Sequence, residues 1–172
     1  MTIGPLSALL EKQKQTYEMV FKPEVSDFDT PRYHYDWWLF PLPITELGAN
    51  SSPRAFYYSI DSTKTRALLE NSSFKEIYLD CIEKYLGAQE VRWNGYGIRF
   101  AKLLLSLKHF ISFTDDENEY ASLNMKLRNF AELALKIADT KHIVDEFHAI
   151  STMRKYLQEY PSRDLTISTP NM

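Results

Sequence analysis

The chain has 172 residues, 44% of them hydrophobic and 25% charged, with a formal net charge of −3. That balance excludes a disordered chain, which lacks apolar residues to bury, and argues against a protein built to coat phosphates, so nucleic acid is not the expected partner. One cysteine, Cys81, excludes an intramolecular disulfide and a thiolate metal cluster within the chain.

Pro5 and Ser7 supply helix-start chemistry, and Leu6, Leu9, Leu10, Tyr17, Val20 and Phe21 recur at near-helical spacing, which predicts a helix from Ser7 to Phe21. Lys22 to Thr30 shows no periodicity. Thr30-Pro31 reads as an N-cap followed by proline, and the short helix it opens should stop before Pro41, because proline disfavours α geometry in the residue ahead of it. Pro41 to Arg54 holds three prolines, Gly48 and the run Ala49-Asn50-Ser51-Ser52, and reads as a long proline-containing loop.

Ser59 is placed to cap a helix through Glu70. Ser73 and Glu76 have capping-box spacing, and Phe74, Ile77, Tyr78, Cys81, Ile82, Tyr85 and Leu86 form an apolar stripe that Gly87 ends. Trp93, Gly95, Tyr96 and Gly97 mark a turn. Ile98 to Phe113 is nearly continuous apolar sequence and predicts a central helix. The acidic run Asp115 to Glu119 lacks the alternating ligands and central glycine of a calcium loop, and reads as a helix start complementing the dipole. Leu123, Leu127, Phe130, Ala134 and Ile137 define the next helix; Ile143, Phe147, Ile150, Arg154 and Leu157 outline a last one that stops before Pro161.

These elements predict an all-α fold of about six helices around a central apolar helix, one domain over 1–160 with a polar tail over 161–172. No stretch approaches the ~20 apolar residues of a membrane span, and Met1 to Leu10 lacks the pattern of a secretory signal. A cytoplasmic protein is the expectation.

Motifs for catalysis and cofactors are absent. His34, His109, His142 and His148 do not form a zinc-protease pattern; His142 and Glu146, four apart, and Asp145 and His148, three apart, read as a solvated helix face. No phosphate loop, dinucleotide fingerprint or nucleophile elbow occurs, so no metal or cofactor is expected.

Two segments stand out. In Tyr33 to Pro43, the spacing of Tyr35, Trp38 and Leu39 presses one helical face into the core, so the stretch reads as packing; the alternative is a peptide or partner groove beside the stiff proline exit, which an exposed Trp37 would favour. Arg99 and Lys102 begin a greasy helix where cations oppose the macrodipole, so a buried carboxylate or an external anion beside the Trp93 turn should compensate them. The expected ligand-binding residues are therefore His34, Trp37, Trp93, Arg99 and Lys102, with a peptide, a protein or a small anion as ligand. A rival reading is an enzyme using His34, Asp36 or His109.

Tyr35, Trp38, Leu39, Phe40, Pro41 and Leu42 also match a motif Tyr-x-x-Trp-Leu-Phe-Pro-Leu, and Ile98-Arg99-Phe100-Ala101-Lys102-Leu103-Leu104-Leu105-Ser106-Leu107 follows at a matching separation. In both segments the chain resembles the conserved region of the opioid growth factor receptor family, in the form of its short, stand-alone microbial members. It departs from that family at Tyr33-His34, Asp36-Trp37 and Gly95 to Gly97. For the animal receptors the resemblance implies enkephalin binding and growth control; for short members it implies no defined activity.

Overall fold

A computed structural model of the chain describes residues 3–21, 36–46, 53–87 and 97–162. Among the described residues the fold is all-α, without strands, and contains eight α-helices: α1 Leu6–Thr16, α2 Asp36–Leu39, α3 Pro53–Tyr57, α4 Ser62–Leu69, α5 Ser72–Gly87, α6 Gly97–Thr114, α7 Ala121–Lys141 and α8 Ala149–Glu159.

The central helix lies where the sequence predicts it. On α6, Phe100, Ala101, Leu103, Leu104, Leu105, Leu107, Phe110 and Ile111 are all buried, so the helix is apolar around its circumference and must be wrapped on every side. α2, α7 and α8 pack against it, and α5 meets it through a ring cluster in which Tyr78 stacks on Phe74 and tilts onto Phe110 at 5.1 Å. The buried apolar side chains form one cluster from Leu9 to Met153.

The proline-bounded tryptophan stretch is wedged into that cluster. Trp38, Leu39 and Phe40 are buried, and Trp38 Nε1 donates to Thr16 Oγ1 of α1 at 2.7 Å. Ser106 of α6 donates its hydroxyl to the Pro41 carbonyl at 2.7 Å. Its single proton being used there, the Tyr78 hydroxyl 2.9 Å away is the donor to Ser106 Oγ. A chain of two hydrogen bonds thus ties α5, α6 and the exit from α2 inside the core, where an unpaired hydroxyl would cost about 1–3 kcal/mol.

Several boundaries differ from the sequence reading. The helix expected to run to Phe21 keeps α geometry only to Thr16 and widens to a π-helix over Tyr17–Phe21, where the Tyr17 hydroxyl donates to Asp80 Oδ2 at 2.5 Å. The start expected at Thr30-Pro31 lies outside the described residues; α2 is what is described of that helix. The long loop contains a 3-10 turn, Ile44–Glu46, and its last two residues already belong to α3, which opens on Pro53. Proline at a first helical position is a start signal, because its missing N–H has no helical partner there; the loop-like composition around it hid this. Where the sequence predicts about six helices, short ones included, the described residues form eight.

Two caps also move. Ser59 does not start α4: its hydroxyl closes the end of α3 on the Phe56 carbonyl at 2.8 Å, and Asp61 is the N-cap, its carboxylate accepting from Lys64 N–H at 2.8 Å. Ser73 and Glu76 do not cap α5 either, since Asn71 Oδ1, two residues earlier, accepts from Phe74 N–H at 2.9 Å. Asp61→Ala should lower stability by about 1 kcal/mol, read as a lower urea midpoint at unchanged slope; an unchanged midpoint would show that the cap contributes nothing.

The last helix begins later than its apolar pattern suggests. Asp145 accepts from the N–H groups of Ile150 at 2.6 Å and Ser151 at 3.2 Å, so its carboxylate fixes the start of α8 at Ala149. The chain reaches that start through left-handed residues, His142 (φ 55°), Phe147 (φ 54°) and His148 (φ 55°). His142 ends α7 in the conformation usually given to glycine, and Ile143 N–H returns to the Ala138 carbonyl at 3.0 Å. The His142–Glu146 and Asp145–His148 pairs therefore do not share a helix face.

Candidate binding site

The first two turns of α6 carry Arg99 and Lys102, three residues apart and so on one side of the helix. Both are buried, 5% and 7% exposed. The Lys102 ammonium lies 3.5 Å from the ring centroid of Trp37. The geometry follows from α2: Trp38 is locked into the core by Thr16 and by the edge of Tyr58, and its neighbour Trp37, half-buried, presents its ring to α6. A desolvated ammonium on an indole face is worth about 2 kcal/mol, which offsets the roughly 0.3–1 kcal/mol penalty of a cation at a helix N-terminus. The buried Lys102 stem also covers apolar surface.

Two of the five expected ligand-binding residues, Trp37 and Lys102, thus meet where α2 packs on α6, and Arg99 is buried on α6 three residues before Lys102. His34 and Trp93 lie outside the described residues. Asp36 opens α2, and its side chain lies outside the described set.

No family model, curated protein or solved structure matches this chain. The site is therefore read on its own chemistry. His109 follows Lys102 by seven residues, about 10 Å along the helix axis, and is mostly buried. Its Nε2 is 2.8 Å from Thr65 Oγ1, whose hydroxyl is also 2.7 Å from the Asp61 carbonyl. Burial, and then the neighbouring Lys108 charge, push its pKa down to about 4. At neutral pH it is an uncharged imidazole bonded to a threonine and flanked by Phe110 and Phe113.

Two polar clusters escaped the sequence reading. In the first, Asp115 accepts from Asn124 Nδ2 at 2.9 Å, from Arg128 at 2.5 Å and from the Tyr156 hydroxyl through a very short hydrogen bond. Arg128 also donates to Asn124 Oδ1 at 2.9 Å and to the Tyr160 carbonyl at 2.8 Å, joining the turn after α6 to α7 and α8. Asp115 was read as part of a helix-start charge run; its partners are 9 to 41 residues away, and no local spacing points to them. In the second, Tyr17 and Lys84 converge on Asp80; the i,i+4 spacing of Asp80 and Lys84 is the one local signal for it.

In both clusters the phenols are held protonated. Burial and the Asp115 bond push the Tyr156 phenol up to about 12, and the Asp80 bond with burial does the same for Tyr17, so both remain neutral donors at pH 7. Burial also pushes the Cys81 thiol up, away from the thiolate that reactivity requires. Among the described residues, no group of three His, Cys, Asp or Glu side chains is arranged to hold a metal ion, and no helix is long and apolar enough to cross a membrane.

An open cleft of about 350 Å³ runs between α7 and α8 over Leu135 and Leu157, bordered by Glu132, Lys136, Asp139, Arg154 and Gln158. The Arg154–Asp139 ion pair, 2.9 Å, spans it. None of the expected site residues lines this cleft.

Proposed function

We propose that this chain is a non-enzymatic binding module that recognises an anionic group, carried by a peptide, a protein or a small ligand, at the junction of α2 with the start of α6. The observation that carries the reading is the Lys102 ammonium seated 3.5 Å over Trp37, with Arg99 one turn away. Two guanidinium or ammonium charges and the positive end of an 18-residue helix superpose their potentials there, and in a largely desolvated place that potential is weakly screened. Trp37, half-buried, adds a flat apolar surface of the kind that dominates binding energetics at interfaces. His34 and Trp93 belong to the same proposal through their sequence positions ahead of α2 and α6.

The two motif segments that resemble the opioid growth factor receptor conserved region are the two that meet at this junction, which supports the reading. Enkephalin binding is not carried over with it.

The test is an affinity pull-down with immobilised wild type, Trp37→Ala, Arg99→Ala and, as a control on an exposed face of α7, Leu133→Ala, each checked for folding by thermal melt. We expect wild type and the control to retain a common set of partners that both site variants lose. Recovery of the same partners by all four folded proteins would place binding elsewhere.

A further inference from the structure

We draw no further inference here: the strongest candidate, the exposed apolar pair Val144 and Phe147 on the left-handed connection between α7 and α8, carries nothing because its charged neighbours Lys141, Asp145 and Glu146 are of both signs and nothing in the structure shows what covers it.

Discussion

Asp115→Ala is expected to lower the free energy of unfolding by about 3–5 kcal/mol, with a fall of roughly 10 °C in melting temperature. The reason is the state in which it leaves Arg128. That guanidinium is buried, and of its partners only Asp115 carries a compensating charge; Asn124 Oδ1 and the Tyr160 carbonyl are neutral acceptors. Without the carboxylate, an uncompensated cation remains inside, and the Tyr156 hydroxyl and Asn124 amide each lose an acceptor. The double variant Asp115→Leu with Arg128→Met should be less destabilised than Asp115→Ala alone, because removing both charges also removes their desolvation cost. Urea denaturation at pH 7 measures both. A single-variant loss below about 1 kcal/mol, or a double variant worse than the single, would mean that this cluster is solvated and does not hold the three helices together.

The second large effect is in acid. His109 has a folded pKa of about 4, below its ordinary 6.5, because burial disfavours the charged ring. Between those values the unfolded chain binds a proton that the folded chain does not, so stability rises with pH across the interval and is lost as pH falls through it. Each pH unit removes about 1.4 kcal/mol, for a total of about 3 kcal/mol by pH 4, and the contribution is fully present above pH 6.5. Glutamine at position 109 has an N–H to offer Thr65 and no charge to gain. We therefore expect His109→Gln to flatten the wild-type dependence of unfolding free energy between pH 6.5 and 4, while the two proteins run parallel above pH 7. Identical slopes in that interval would show that His109 is hydrated and titrates normally.

These two residues also mark where the sequence was readable. Periodicity located α5, α6 and α7 because their apolar stripes are long, and the continuous apolar run of α6 announced a helix buried on every face. It also brought Trp38 and Leu39 into the core and left Trp37 at its margin. Caps were less legible, because Ser59 and Ser73 are as good on paper as Asp61 and Asn71, and the choice turns on where the preceding chain comes to rest. The start of α8 was missed for a related reason. Ile143 and Phe147 have helical spacing, but the carboxylate of Asp145 reaches forward to Ile150 and Ser151, and the backbone accepts three left-handed residues to allow it.

For the candidate site, the sequence put Arg99 and Lys102 on the first turns of α6 and set Trp37 apart from the core-facing Trp38. The direct stacking of Lys102 on Trp37 was beyond it, since that contact joins residues 65 positions apart and depends on how α2 is anchored by Thr16 of α1 and Tyr58 beyond α3. The Asp115 cluster was illegible for the same reason: its members are ordinary surface residue types whose burial is decided by three helix ends meeting.

The Arg128 bond to position 160 is made to a backbone oxygen, while the ring of Tyr160 is 54% exposed. That bond does not depend on the side chain at 160, although the Tyr160 ring packs 4.8 Å from the ring of Tyr156. A change of side chain at 160 therefore leaves that bond in place, whereas a change at 115, 124, 128 or 156 takes away a side-chain partner from the junction.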